Sequence, residues 1–266
     1  METIYRLEIH VTDRCNLKCE SCSHFSGPHH SGILTPSEVN HQMGLWSPRL
    51  RPSQLELLGG EPTLNPWLAD IIPITRQHFP HSELKIVSNG LLLHKHPKLL
   101  KAILENDTSI RISFHSLYHD PRYEKIFSSV RELANQWIKQ GAKISITPDD
   151  RNWTRRYYGD GSSMMPFNDH SPRSSWENCP CRIHMQLRKG HIWKCPILAY
   201  LPLQKKLFPE LSPVWNLGLC YKPLSPLATD NEMHEFLGRQ DEPQCGLCPE
   251  ASHKFDSASV FLPENT

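Results

Sequence analysis

Ile4-Tyr5-Arg6-Leu7-Glu8-Ile9-His10-Val11-Thr12 runs almost directly into Cys15-Asn16-Leu17-Lys18-Cys19-Glu20-Ser21-Cys22. The first stretch alternates apolar and polar side chains, the two-residue period of a strand with one face packed. The second delivers three thiols in the spacing C-x3-C-x2-C from the loop after that strand. Three thiolates from one short loop suit three irons of a cubane and leave the fourth iron without a protein ligand, which is what a chelating substrate requires. Zinc sites usually draw four ligands as two separated pairs, so this spacing fits zinc less well. The plain alternative is three thiols buried in a loop.

Working outward, the pattern repeats. Thr35-Pro36-Ser37-Glu38 has the form of a helix start, with Thr35 as N-cap and Glu38 three residues on. Leu55–Leu58 reads as a second strand ended by Gly59-Gly60, and Trp67–His78 as a helix that Pro73 bends or interrupts. Leu84–Ser88 is a third strand, 97–105 a helix, and Ser109–Phe114 a fourth strand. Residues 121–140 carry an amphipathic helical period ending before Gly141, and Ala142–Thr147 is a fifth strand. Strands alternating with helices predict a parallel α/β fold. Five units are too few for a closed eight-stranded barrel, so an open partial (β/α) barrel of TIM-like type is expected over residues 1–150. Residues 151–175 lack a sustained period and read as a linker or mobile loop, in spite of interleaved Arg155, Arg156, Tyr157 and Tyr158. A small cysteine-rich domain with a β-hairpin is expected over 176–250, with little helix before Asn231–Gly238, and a loosely ordered tail over 251–266.

Composition sets the outer bounds. The chain has 266 residues and a formal net charge of +1, with 29 Lys and Arg against 28 Asp and Glu. Such balance advertises no nucleic-acid or anionic-membrane partner. No stretch approaches the roughly 20 apolar residues of a membrane span, and the first residues lack the layout of a signal peptide. A cytoplasmic location follows as the expectation, where thiols stay reduced. Nine cysteines there, an odd number, point to metal or cluster ligation more than to disulfides.

Three further motifs follow the cysteine loop in order. Gly59-Gly60-Glu61-Pro62 ends the second strand, Ser88-Asn89-Gly90 the third, and Ser113 and His115 the fourth. The glycines are read as letting backbone approach a ligand closely. All lie at the carboxyl ends of strands, where parallel barrels gather their sites. With the C-x3-C-x2-C loop, this ordered set resembles the signature of the radical S-adenosylmethionine (SAM) superfamily over residues 4–150. Cys22-Ser23-His24-Phe25-Ser26 resembles a bacterial subgroup of that superfamily carrying a Cys-x-His-Phe-Ser segment. Ser21 departs from the pattern, since many members place an aromatic residue beside the third cysteine.

The resemblance implies a [4Fe–4S] cluster on Cys15, Cys19 and Cys22, with SAM as cofactor. It places Glu61 against the methionine ammonium and Ser88 and Asn89 near ribose and carboxylate, with Gly59, Gly60, Pro62, Ser113 and His115 also facing the cofactor. His24, His29, His30 and His41 are read as loop or surface residues.

A second cysteine set lies further on. Leu187 to Pro196 reads as a hairpin turning near Gly190 and delivering Cys195, and Cys245-Gly246-Leu247-Cys248 is a tight pair. This resembles the auxiliary-cluster domains of twitch or SPASM type and implies a second [4Fe–4S] cluster on Cys181, Cys195, Cys245 and Cys248, with Cys179 competing for the place of Cys181. Zinc remains the alternative there, because two separated cysteine pairs also describe a zinc site. Cys220 is either a hydrogen-atom donor to a substrate radical or a structural cysteine.

The function implied is reductive cleavage of SAM to a 5′-deoxyadenosyl radical that abstracts hydrogen from a small-molecule substrate, sugar-like substrates included. Dehydrogenation or epimerisation would follow, with a one-electron donor such as flavodoxin or ferredoxin as partner. A peptide-modifying enzyme and a non-catalytic zinc-binding adaptor on the same fold are the competing readings.

Overall fold

The structure, a computed structural model, describes residues 1–27, 29–114, 123–147 and 153–255. Four strand–helix units come first: β1 (Glu2–Thr12), α1 (Pro36–Trp46), β2 (Leu50–Gly59), α2 (Leu68–His78), β3 (Glu83–Ser88), α3 (Leu99–Glu105), β4 (Thr108–Ser113) and α4 (Tyr123–Lys139), with β5 (Ile144–Thr147) closing the run. The helix starts follow local chemistry. Thr35 and Glu38 form the expected capping box, the Thr35 N–H donating to Glu38 Oε2 at 2.7 Å and the Glu38 N–H to Thr35 Oγ1 at 3.3 Å. α2 continues through Pro73 as one element rather than breaking there.

Three short strands then follow, β6 (Trp153–Thr154), β7 (Tyr157–Tyr158) and β8 (Met165–Pro166), before α5 (Pro172–Glu177). The remaining elements are β9 (His184–Arg188), β10 (His191–Trp193), α6 (Pro196–Leu207), α7 (Asn216–Leu219), α8 (Asp230–Gly238) and β11 (Lys254–Phe255). The hairpin turn between β9 and β10 uses Lys189 and Gly190 at φ of 50° and 75°, a pair of left-handed residues that matches the strand twist.

The main sheet has seven strands in the order β10-β9-β1-β2-β3-β4-β5 and is open. The hairpin expected in a separate C-terminal domain is part of this sheet. β9 pairs in parallel with β1, placing His184 opposite Arg6 and Gln186 opposite Glu8, and only β10 runs antiparallel. The Trp46 indole N–H, donating to Gly190 O at 2.9 Å, ties α1 to the hairpin turn.

Strand alternation divides the sheet into two unlike faces. Leu7, Ile9 and Val11 of β1, Leu55 and Leu57 of β2, Leu84 and Ile86 of β3, and Ile110 and Ile112 of β4 pack in one core with Val39, Met43, Ile71, Ile72, Leu99 and Ala134 of the helices. Burying each such aliphatic side chain contributes about 1.5–3 kcal/mol. The intervening positions carry Arg6, Glu8 and His10, Gln54 and Glu56, Arg111 and Ser113, Thr147, and His184 and Gln186. That polar face is where the site is built.

A second core gathers Phe25, Tyr157, Met164, Tyr200, Leu201, Leu211, Trp215 and Leu247 around α6. Two expectations change here. The segment read as a linker supplies Tyr157 and Met164 to this core. α6, in a region where little helix was expected, is a 12-residue helix. Its residues 196–201 are all buried, so it shows no amphipathic stripe, and Pro196 and Pro202 mask it further.

Candidate active site

Ser21 and Phe25 adopt φ of 56° and 51°, which winds the loop after β1 tightly enough to turn Cys15, Cys19 and Cys22 into one cavity of about 350 Å³. Its walls also include Gly59, Gly60, Glu61, Ser88, Asn89, Ser113 and Thr147, with Glu8, Glu56, Arg111 and His184 on the sheet face and Cys181 in the turn before β9. The loop after β1 and the carboxyl ends of β2, β3 and β4 thus converge on one cavity. His115 lies outside the described residues. Pro62 is buried at the start of a short 3-10 turn, residues 62–64.

The glycines, which line this cavity, also let two stretches of backbone meet. A Cβ on Gly60 would stand 2.2 Å from Arg14 O and 2.7 Å from Cys15 N, and one on Gly59 2.5 Å from Thr12 O. Their neighbour is the backbone that leads into the cysteine loop. The Gly60 and Glu61 N–H groups donate to Thr12 O and Arg14 O, both at 2.9 Å, which sets that loop on the end of β2.

Glu61 is 1% exposed and acts as a junction. Its Oε1 accepts from Thr63 N (3.1 Å), Thr63 Oγ1 (2.5 Å) and Ser88 Oγ (2.7 Å), and its Oε2 accepts from Asn89 N (2.7 Å). Burial pushes its pKa up, opposed by these donors. Asn89 Nδ2 in turn donates to Asn16 Oδ1 at 2.7 Å, joining the third motif to the first. Ser21, at the position where an aromatic was missing, is buried and clasps another segment: Arg156 N donates to its hydroxyl at 2.6 Å. Tyr157 Oη donates to Cys22 O at 3.1 Å.

The donor set fits an iron–sulfur cluster. Burial raises the Cys15 and Cys19 thiols above the ordinary range, so ligation at this loop would be coupled to release of their protons. Cys22 shifts the other way, because His24 outweighs the effect of burial. Among the described residues no three His, Cys, Asp or Glu side chains are gathered tightly enough to hold a single metal ion. A cubane, with irons at separate corners, does not require that.

Sequence reasoning missed the polar floor of the cavity. Glu8 Oε1 accepts from His184 Nδ1 at 2.8 Å and Oε2 from Gln186 Nε2 at 2.6 Å, while His24 Nε2 stands 3.6 Å from Oε2. Arg6 Nη1 meets His184 Nε2 at 2.9 Å, and since arginine only donates, His184 carries its proton on Nδ1. Burial would raise the Glu8 carboxyl, but the two histidines overcome it and hold it well below the carboxylate range. His24 and His30, read as surface or loop residues, are placed inside: His24 on the cavity wall, and His30 buried with Nε2 at 2.7 Å from Phe25 O. The available signal was the run of polar residues Arg6, Glu8, His10 and Thr12 at alternate positions of β1, which a strand with a solvent-poor polar face would require.

The second cysteine set divides. Cys179, Cys195, Cys245 and Cys248 line one cavity of about 290 Å³, with Lys194, Arg239 and Glu242. Cys181 instead lines the first cavity, whereas the sequence reading set it in the second group with Cys179 as the alternative. The two thiols sit on one turn, within hydrogen-bonding reach of each other, at the boundary between the two cavities. Hydrogen bonding from Cys181, aided by Arg156, lowers Cys179 to about 6, whereas burial pushes Cys245 to about 11 and Cys248 to about 12. Lys194 Nζ donates to Leu237 O (3.3 Å) and Arg239 O (2.6 Å), holding the end of α8 against this cavity. Cys220 is exposed and lines neither cavity, which removes the geometric basis for a hydrogen-donor role.

With this geometry in place, comparison with known proteins is direct. The family model of the radical SAM superfamily matches residues 9–144. The chain belongs to the radical SAM superfamily. Among curated relatives, a GTP 3′,8-cyclase of Paenarthrobacter nicotinovorans is 32% identical over 123 residues, 45% of this chain and 34% of the relative. A probable GTP 3′,8-cyclase of Methanococcus aeolicus is 30% identical over 152 residues, 54% of this chain and 48% of the relative. The chain thus spans a third to a half of the length of these relatives. Among solved structures, BtrN in complex with AdoMet and 2-DOIA aligns over 78% of this chain and 88% of its own, at 16% identity and a TM-score of 0.45. Streptococcus suis SuiB bound to S-adenosylmethionine aligns over 54% of this chain and 33% of its own, at 16% identity and a TM-score of 0.43. No helix of the described residues is long and apolar enough to cross a membrane.

Proposed function

We propose that this radical SAM enzyme cleaves SAM reductively and abstracts a hydrogen atom from a small polar metabolite, leading to its dehydrogenation. The observation that carries the reading is the single cavity shared by Cys15, Cys19, Cys22, the Gly59–Glu61 turn, Ser88–Asn89 and a polar floor. Cys15, Cys19 and Cys22 would hold a [4Fe–4S] cluster, which would supply the electron for reductive cleavage of SAM bound beside it. The chain's own task is position and exclusion of water. Glu61 locks the Gly59-Gly60 turn to Ser88 and Asn89, and Asn16 locks both to the cysteine loop.

Cys179, Cys195, Cys245 and Cys248 have the donor chemistry for a second [4Fe–4S] cluster, an electron acceptor suited to a two-electron oxidation of substrate. Epimerisation needs a hydrogen atom returned, and exposed Cys220 does not supply one to this cavity. A flavodoxin or ferredoxin is the fitting donor class for the first electron.

GTP cyclisation is the second reading, favoured by the names of the curated relatives. The cavity counts against it. Three carboxylates, Glu8, Glu56 and Glu61, line it against one guanidinium among the described residues, and that guanidinium, Arg111, is already paired with Glu56 at 3.3 Å. A triphosphate needs uncommitted cations.

The test is anaerobic reconstitution followed by assay of iron, sulfide, zinc and 5′-deoxyadenosine. About eight irons per chain and SAM cleavage that vanishes when Cys15, Cys19 and Cys22 become Ala support the reading. Cleavage retained by that triple variant ends it, and one zinc with about four irons would strip the second site of a redox role.

A further inference from the structure

Cys22-Ser23-His24-Phe25-Ser26 turns back on itself as it leaves the cysteine loop. The Phe25 N–H donates to Cys22 O at 3.0 Å, and Phe25 takes up the left-handed φ of 51° that closes the turn. A four-residue turn closed in this way keeps His24 beside Cys22. Both residues line the first cavity, and their side chains interact there.

The ring of His24 is held from several sides. It packs against His10 with centroids 4.6 Å apart, and His10 in turn stacks on Tyr200 at 3.9 Å. Nδ1 lies 3.2 Å from Ser23 Oγ. Nε2 is buried, and Glu8 Oε2 at 3.6 Å is too far from it for a hydrogen bond. Glu8 is kept from closing that gap by His184 and Gln186, which donate to its two oxygens. A hydrogen on Nε2, the tautomer that lets Ser23 Oγ donate to Nδ1, therefore finds no oxygen to accept it. A buried donor of this kind costs stability unless something completes it. The sulfur of the neighbouring Cys22 is the acceptor that the turn provides.

We propose that His24 donates this hydrogen to the Cys22 sulfur when Cys22 is a cluster ligand, and so raises the reduction potential of the first cluster, an inference that rests on the [4Fe–4S] reading given above. His24 is then a positioning residue and touches no substrate. One electron from a flavodoxin or ferredoxin adds a negative charge that the cluster sulfurs share, and no proton has to move with it. An N–H aimed at one of those sulfurs stabilises the added charge. The Glu8 carboxylate on the far side of the ring opposes it. Removing the ring withdraws a donor and uncovers a carboxylate, and both changes make the cluster harder to reduce.

The experiment is redox potentiometry of the reconstituted full chain, followed by electron paramagnetic resonance. The signal to read is the one that added SAM perturbs, since SAM chelates only a cluster with an open iron. His24→Phe keeps a ring against His10 but loses the donor, His24→Leu loses both, and His24→Gln keeps an N–H. The Phe and Leu variants are expected to shift the reduction equilibrium about tenfold toward the oxidised form, about 59 mV for a one-electron couple. His24→Gln is expected to recover part of that shift. Iron content reports whether each variant is loaded, and His24→Leu carries the test if His24→Phe does not hold iron. A loaded Phe or Leu variant that reduces at the wild-type potential would overturn the proposal, as would a Gln variant no easier to reduce than they are. A purely structural role for His24 predicts the first of these results, with iron lost and the potential of the remaining cluster unmoved. A wild type whose signal ignores SAM sinks the underlying reading instead.

Discussion

Gly60→Ala tests the way the cysteine loop is seated. The added Cβ would meet three backbone atoms: Arg14 O at 2.2 Å, Arg14 C at 2.4 Å and Cys15 N at 2.7 Å. No side chain can swing aside to relieve this. Reaching ordinary contact at 3.4 Å moves the Arg14–Cys15 peptide by about 1.2 Å, and the Glu61 N–H bond to Arg14 O is lost with it. Overpacking of this kind costs about 1–3 kcal/mol, and a broken buried backbone bond adds about 1 kcal/mol. For a chain of this size each kcal/mol lowers the melting temperature by about 2–4 °C, so a fall of roughly 4–16 °C is expected. Because Cys15 moves with the peptide, iron at the first site should fall too. Gly27→Ala is the matched control in the same loop, since its Cβ would meet nothing within 4 Å. Differential scanning fluorimetry and iron assay on both variants decide the matter. Gly60→Ala melting within a degree of wild type with full iron would refute the steric argument.

Single replacement of Cys179, Cys195, Cys245 or Cys248 by Ala should remove about four of eight irons, while Cys181→Ala keeps all of them; iron loss in Cys181→Ala with retention in Cys179→Ala would reinstate Cys181 as the ligand. Glu61→Ala strands four buried donors, from Thr63, Ser88 and Asn89, and should cost about 3–5 kcal/mol in urea denaturation, whereas a loss under 1 kcal/mol would deny the junction role. Thr35→Ala removes one half of an exposed capping box and should cost about 1 kcal/mol with iron content unchanged, again by urea denaturation.

The elements legible in the sequence were those with a strong local signal. The Thr35 capping box, the alternation in β1 and the amphipathic stripe of α4 each mark their own position, and C-x3-C-x2-C, GGEP and SNG fall where strands end. What stayed hidden depends on distant pairing. Nothing local announces that His184–Leu187 lies beside β1, and once it does, Cys181 turns into the first cavity and leaves Cys179 to the second. The floor of the site was hidden for the same reason. Glu8, Glu56, Arg111 and His184 are ordinary charged residues until the register of four strands brings them to one face. α6 was missed because its first six residues are all buried and supply no polar side to mark a period.

The place of β9 beside β1 also sets an order of assembly. The strand that carries the cysteine loop is made before every other strand of its sheet, yet one of its two neighbours arrives 178 residues later. At about 5–20 residues per second, a ribosome needs roughly 10–35 s to supply it. Until then Glu8 lacks the His184 and Gln186 that compensate its charge, and Arg6 lacks its imidazole partner. The early half-barrel therefore waits with an unpaired edge and a charged, uncovered face, the kind of intermediate that chaperones shield and that long-range strand pairing makes slow. Iron delivered in that interval would meet three thiols on a loop whose clasp at Arg156 and Tyr157 is still being translated.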